Sequence, residues 1–422
     1  MRISVRNILS KMNAPDFQNN FWTLMASGIV SAFNFIIKII VVRAFGLADA
    51  GIFSFAVAVS GLSTVLFLYG VRSFQSTDIK QEFSLNSYVA LRVITALFTM
   101  ISVIVFIFVS RLELHRIIVV LLVCLIYWAD AFADVFMGDL QQKGNMRIAG
   151  RMRVCAFTSS GVIFSITSFI SRSLIVSLMI SGVVVFVVYA GWIWVYRKQF
   201  RQVRVRPDIS ALKKLAASTT PIIIGGIVGT FLTMAQTYYL SFMHTDESVA
   251  VFTILMMPLT SLTILSHAFF LGAEMTKTAM IYATGQIERT SKRINGQLLL
   301  AIAVFIVFFV FVYFFGIPIL SWLYNVDLSL YSNDFILLAV GGSFLLLFPV
   351  LGAAINVFRK QRAWMVTSIG MAFIVAPVNW MLVQRFEIRG AVYATLNIHL
   401  FLTVTAYILY RVSLRKRLTK LN

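Results

Sequence analysis

The chain has 422 residues, 59% of them hydrophobic and only 12% charged, with a mean hydropathy of +0.89. Soluble domains carry about 25% charged residues, so a soluble globular domain is excluded; apolar runs of about 20 residues, each long enough to cross ~30 Å of hydrocarbon, exclude a barrel of short alternating strands. The net charge of +20 is scattered between apolar runs and forms no basic domain, which argues against a nucleic-acid partner.

Twelve spans are predicted, at about 20–42, 51–71, 87–110, 117–137, 154–171, 174–195, 219–242, 249–272, 294–317, 334–357, 364–384 and 390–410. The first run, beginning near Phe21, is too long for the core of a signal peptide and no small-residue cleavage site follows it, so it should remain as a span. Cys124 and Cys155 lie in apolar segments without metal-ligand spacing and read as small hydrophobes. Lys and Arg in alternate loops number 28 on one side of the membrane and 6 on the other, with Lys38 and Arg92 inside spans. The positive-inside rule then places both termini in the cytoplasm.

The longest basic stretch, "YRKQFRQVRVRPDISALKK" (196–214), separates spans 6 and 7. The expected organisation is an N-terminal six-helix bundle over 1–195, a basic cytoplasmic linker over 196–218, a C-terminal six-helix bundle over 219–411 and a basic cytoplasmic tail over 412–422. The halves are weakly alike: "RAFGLADAGIFSF" (43–55) and "SFMHTDESVAVFTI" (241–254) are both short outer hairpins leading into a helix of small residues and Phe. Spans 1 and 7 run in the same direction, the parallel kind of repeat seen in transporters.

Polar residues form stripes along several spans. A helix gathers i, i+3, i+4 and i+7 on one face, and Ser27, Ser31, Asn34 and Lys38 share a face of span 1, as Tyr88, Arg92, Thr95, Thr99 and Ser102 do in span 3. Span 4 holds Asp130 and Asp134 one turn apart; span 7 holds Gly225, Gly229 and Gln236; span 8 offers Thr260, Thr263, His267 and, at its end, Glu274. Small and hydroxylated residues also serve helix packing, but intramembrane charges face a partner or a wet cavity. A lysine at the centre of a membrane helix costs roughly 2.5–3.5 kcal/mol. Lys38 lies about 6–8 Å below the outer end of its helix and either snorkels to that surface or faces a polar lumen with Asn34. Arg92 either forms a structural ion pair with Asp134 or Asp130, or meets substrate. His399, midway along the last span, reads first as a hydrogen-bonded packing residue. There is no Walker A loop, HExxH or GxSxG, and the inner-loop acids Asp78, Glu82, Asp139 and Asp208 form no acid/base pair, so no enzyme, cofactor or metal is expected.

Three stretches carry a family resemblance. "VVRAFGLADAGIFSFAVAVSGL" (41–62) resembles the first outer hairpin of polysaccharide-type flippases of the MOP exporter superfamily, the Wzx-like O-antigen and capsule repeat-unit flippases. "LKKLAASTTPIIIGGIVGTFL" (212–232) resembles the amphipathic approach to their helix 7, and "GAAINVFRKQRAWMVTSIGMAFIVAPVNWMLVQRFEIRGAVYATL" (352–396) resembles their helices 10 to 12. The resemblance implies an all-α, V-shaped, MATE-like fold of two six-helix bundles around a cavity in a bacterial plasma membrane. It implies export of oligosaccharide linked to undecaprenyl diphosphate, with polysaccharide polymerase and chain-length proteins as candidate partners. An anionic diphosphate and polar sugars call for cations and hydrogen-bond donors. Lys38, Arg43, Arg72 and Arg92 are the candidate cations, and Asn34, Gln236, Asn356 and His267 the candidate polar contacts. Asp130, Asp134 and Glu274 are candidates for coupling or structural ion pairs. Many relatives carry an acid in helix 7, where "TMAQTYYL" (233–240) has Gln236. The alternatives are a cation-coupled multidrug exporter of the same fold, which would favour acids in its cavity, and a membrane enzyme acting on lipid-linked sugars.

Overall fold

The apolar runs become helices, because backbone groups in hydrocarbon must be bonded within their own segment. The computed structural model describes residues 15–77, 82–200, 209–267, 270 and 274–418. In chain order the α-helices are α1 (Pro15–Leu68), α2 (Val71–Thr77), α3 (Leu85–Ser110), α4 (Leu114–Gln142), α5 (Met146–Ser171), α6 (Leu174–Val195), α7 (Ile209–Met243), α8 (Asp246–Leu255), α9 (Met257–His267), α10 (Met275–Ala283), α11 (Ile287–Tyr324), α12 (Ser332–Val357) and α13 (Gln361–Leu418). Among the described residues, nine helices are long and apolar enough to cross a membrane. Two of these are helix pairs joined end to end at a break, at Gly46 in α1 and Glu387 in α13. The chain is an all-α polytopic membrane protein.

Hydroxyl side chains begin several helices. Ser84, Ser173 and Thr245 accept from the backbone N–H three residues on, which satisfies one of the free donors of α3, α6 and α8. Helix faces divide by environment. In α3, Tyr88, Arg92, Thr95, Thr99 and Val103 are buried, while Leu97, Ile101, Ile104 and Phe108 are exposed and suited to lipid.

The helix bounds depart from the sequence reading where charge masks helix. Span 5 was expected from 154, but α5 begins at Met146, because Arg147, Arg151 and Arg153 depress hydropathy without breaking a helix. Residues 209–218, read as linker, are the first turns of α7. Span 8 is interrupted at Met256, just before Pro258, into α8 and α9.

The chain divides into two compact units, Met1–Thr230 and Phe231–Asn422, so 209–230 pack with the first unit and the division falls inside α7. In the first unit α1 packs along α5, where a Cβ on Gly150 would lie 2.5 Å from the Trp22 carbonyl oxygen. Phe33 meets Phe157 edge-on at 5.1 Å. Cys124 is buried beside Ser63, 3.8 Å away, whereas Cys155 is exposed. In the second unit Ile294, Ala301, Leu346, Val350, Ala406 and Tyr410 form one core, and Ala235, Leu240, Phe252, Val383 and Ala394 another.

The two breaks differ in strain. Gly46 has φ 87° and ψ −178°, a region essentially reserved for glycine. Glu387 has φ 51° and ψ −124°, which costs a side-chain-bearing residue about 1–3 kcal/mol. Its carboxylate takes a short hydrogen bond from Ser248. The returning helix of this hairpin runs close: a Cβ on Gly390 would lie 2.0 Å from the Leu382 carbonyl oxygen. Glu387→Gly relieves the backbone while losing the Ser248 bond, worth about 1.5–3 kcal/mol, so its thermal midpoint should stay near that of the wild type. Glu387→Ala keeps the strain and loses the bond, and should unfold several degrees lower. Equal midpoints for the two variants would show that the backbone there is unstrained.

Candidate functional site

The polar centre of the first unit is built on one face of α4. Tyr127, Asp130 and Asp134 follow one another at helical spacing, and each meets a different neighbour. The Tyr127 hydroxyl donates to Asn34 of α1 in a short hydrogen bond. Asp130 is clasped by Arg153 of α5, with Nε donating to Oδ1 at 2.9 Å and Nη2 to Oδ2 at 2.8 Å, the bidentate fork that arginine forms with a carboxylate. Tyr189 of α6 donates to the same carboxylate.

Asp134 is the meeting point of three guanidiniums. Arg72 of α2 donates to its Oδ1 at 3.0 Å and to its backbone carbonyl at 2.8 Å, while its Nε donates to Gln141. Arg153 lies 3.7 Å from Oδ1 and Arg92 3.8 Å from Oδ2. The Arg92 contact is electrostatic and too long for a hydrogen bond. Three arginines face two aspartates, so the cluster keeps an excess positive charge. Its Arg92–Asp134 part is well covered, with side chains 0% and 8% exposed, while Arg72, Arg153 and Asp130 are partly exposed.

Arg92 has a second task. Its Nη1 and the Thr95 hydroxyl both donate to the Phe67 carbonyl at 2.8 Å, where α1 ends. A helix C-terminus carries free carbonyls and partial negative charge, which a cation satisfies. Arg92 Nε and Nη2 have no hydrogen-bond partner among the described residues, nor does Asp134 Oδ2. A buried cation with two idle donors is expensive to keep.

Lys38, one turn beyond Asn34, makes no hydrogen bond or ion pair with any described residue and is half-buried. The hydroxyls preceding it on the stripe turn to their own helix: Ser27 donates to the Thr23 carbonyl at 3.2 Å and Ser31 to that of Ser27 at 2.9 Å. Thr99 and Ser102 of α3 do the same. Much of the polarity seen in the sequence is therefore spent inside each helix.

The other candidates are separate from this centre. Arg43 is exposed. In the second unit Gln236 is buried, with its Nε2 lacking a partner among the described residues. Asn356 is exposed and lines a cavity at one end of that unit. The His267 side chain lies outside the described residues. Glu274 accepts from Lys277 at 2.8 Å, Arg293 at 2.6 Å and Gln297 at 3.2 Å. Lys277 above all, with Arg293 and Gln297, holds its carboxyl below the usual carboxylate range against the opposing effect of burial. His399 is buried, with Nδ1 2.7 Å from the Thr395 carbonyl oxygen.

The sequence reading missed Arg153, Tyr127, Tyr189 and Gln141. Tyr127 stands three residues before Asp130, so its place on the acidic face was available from spacing alone. Arg153 was counted as a loop cation because it adjoins other basic residues.

No protein-family model and no curated protein matches the sequence. Solved structures do match. A multidrug resistance MATE family transporter of the MOP superfamily, in an inward-facing conformation, is similar with a TM-score of 0.68 at 14% identity, over 92% of this chain and 95% of that one. The Vibrio cholerae MATE transporter VcmN in its bent form gives 0.59 at 13% identity, over 97% and 99%. A MOP superfamily transporter from Pyrococcus furiosus, described as having a binding pocket of reversed polarity that suggests a different function, gives 0.59 at 13% identity, over 96% of each chain. This chain therefore has the fold of the MATE transporters of the MOP superfamily.

Proposed function

We propose that the protein is a flippase that moves undecaprenyl-diphosphate-linked oligosaccharide repeat units from the inner to the outer leaflet of a bacterial plasma membrane, for surface polysaccharide assembly. The observation that carries this reading is the excess of cations in the first unit, where Lys38 of the first span is unpaired among the described residues and three arginines, the span residue Arg92 among them, face two aspartates. An intramembrane cation without a counterion suits a passing anion, and a diphosphate supplies one along with strong acceptors. The fold tolerates a change in the polarity of its binding pocket, as the description of the Pyrococcus furiosus transporter states for that protein.

The second reading is a cation-coupled multidrug exporter, favoured by the description of the multidrug resistance transporter. Coupling requires a carboxylate that exchanges its partner for an ion. Asp130 and Asp134 are both engaged by arginine, which favours the anionic-substrate reading. A polysaccharide polymerase and chain-length proteins would work beside the flippase, taking the repeat unit once it is outside.

Deleting the gene should cause a lipid-linked oligosaccharide to accumulate on the inner leaflet, and the wild-type gene should clear it. Unchanged lipid-linked glycan together with increased drug sensitivity would favour the exporter. Orientation is tested separately. With both termini inside, reporters fused after Gly46, Thr245 and Asn325 should read outside and one fused after Lys143 inside; an inside signal at Thr245 would overturn the arrangement.

A further inference from the structure

Each unit has a polar cavity at the end where the basic loops gather, and the two differ in charge. The cavity of the first unit, about 630 Å³, sets Glu82 and Asp139 against Lys143 and Lys198, with Lys143 already bonded to Asp139 at 2.6 Å. That of the second unit, about 620 Å³, is lined by Arg359, Arg417, Asn356 and Tyr282, with no carboxylate among its described lining residues. Similar volumes, one with acids and bases in balance and the other with only cations among its described charged lining residues, call for different occupants.

The second cavity stands on a firm base. Tyr282 packs edge-on against Phe358 at 5.1 Å, and Phe358 in turn lies 6.0 Å from Tyr410 in the core. The Arg417 guanidinium carbon lies 6.0 Å from the Tyr282 ring centre, so the ring orients the charge along the wall. Asn356 and Arg359 come from the end of α12. There the Lys360 N–H donates to the Ile355 carbonyl at 2.9 Å and the Arg359 N–H to the Asn356 carbonyl at 3.1 Å, the two bonds of a Schellman ending. Arg359 takes the left-handed position, φ 55°, which glycine fills at less strain. Arg111 and Arg172 end helices in the same conformation, so the conformation alone assigns nothing; the acid-free cavity it borders does.

We infer that this cavity binds the phosphate-ester headgroup of an anionic lipid in the leaflet at that end of the second unit. Two guanidiniums supply paired donors for the phosphate oxygens, the Asn356 amide a further donor, and the apolar wall of Tyr282 and Ile287 a seat for the glycerol end. Basic pockets between membrane helices on the cytoplasmic side suit such headgroups. The site is separate from the cluster on α4 and does not depend on the transported substrate.

The test uses the full-length protein in nanodiscs of phosphatidylcholine, titrated with phosphatidylglycerol of the same chains and read by native mass spectrometry. Phosphatidylglycerol should be retained in preference to phosphatidylcholine. Arg359→Gln and Arg417→Gln should each weaken retention about fivefold, and the pair about 30-fold, given the strength of a basic residue near an anionic surface. Arg359→Gly separates binding from folding: it relieves the left-handed strain, so its thermal midpoint should equal or exceed that of the wild type while retention falls as in Arg359→Gln. Unchanged retention in the double variant would overturn the site. Inorganic phosphate alone, binding as tightly as phosphatidylglycerol and lost in the same variants, would overturn the lipid assignment in favour of a soluble phosphate.

Discussion

Asp134→Ala should be the most damaging single change in the first unit, lowering the stability of the purified protein by about 3–5 kcal/mol. Asp134 lies within 4 Å of Arg72, Arg92 and Arg153, and its removal would leave three guanidiniums on Asp130 alone. Breaking a buried ion pair from one side strands the other charge, whereas replacing it with a well-packed apolar group is often neutral. Arg92→Met should therefore be mild, within about 2 kcal/mol of the wild type. Asp134 would keep Arg72 at 3.0 Å, and Thr95 would still donate to the Phe67 carbonyl at 2.8 Å. In the Asp134→Ala background, Arg92→Met should restore part of the lost stability, because it removes one of the stranded charges. Thermal unfolding in detergent, with folded yield by size-exclusion chromatography, measures all three. A loss from Arg92→Met as large as that from Asp134→Ala would show that Arg92 is the carboxylate's main partner. Arg92→Met that folds normally yet fails to export would point instead to a charge retained for substrate.

Lys38→Glu should nearly abolish export while leaving protein level unchanged. A delocalised attraction to a diphosphate needs only positive charge, so Lys38→Arg should retain most activity and Lys38→Gln should reduce it, by about tenfold if the lysine contributes one charge-assisted contact. All three should accumulate normally, since Lys38 is half-buried and bonded to no described residue. The readout is the amount of lipid-linked oligosaccharide left on the inner leaflet when each variant complements the deletion. If the amine only anchors the helix end at the membrane surface, Lys38→Gln exports normally. Normal export by Lys38→Glu at normal abundance would falsify a role for the charge in transport.

The helices and their order were legible because hydropathy and length suffice to identify a membrane span. Where the reading fell short, charge was the cause. Arg147, Arg151 and Arg153 made the start of α5 look like loop, and the basic 209–218 made the start of α7 look like linker. The site was legible face by face but not neighbour by neighbour. Helical spacing puts Asp130 and Asp134 together, yet it does not show that Arg153 takes the first while Arg72 and Arg92 take the second. That choice depends on which helices lie beside α4, and spacing within one helix says nothing of it. Ser27 and Ser31 add a further case. Their place on the stripe follows from spacing, but that each hydroxyl donates to its own helix's backbone does not.

The contrast between the two thiols has a practical use. Cys124 is buried against Ser63, and a buried thiol in apolar surroundings is inert to reagents. Cys155 is exposed. Replacing Cys155 alone should thus give a chain that membrane-impermeant maleimides do not label. Single cysteines then introduced by Ser27→Cys, Ser31→Cys, Asn34→Cys and Lys38→Cys would report, by their alkylation rates, how far water penetrates along this face of α1 at each stage of the transport cycle.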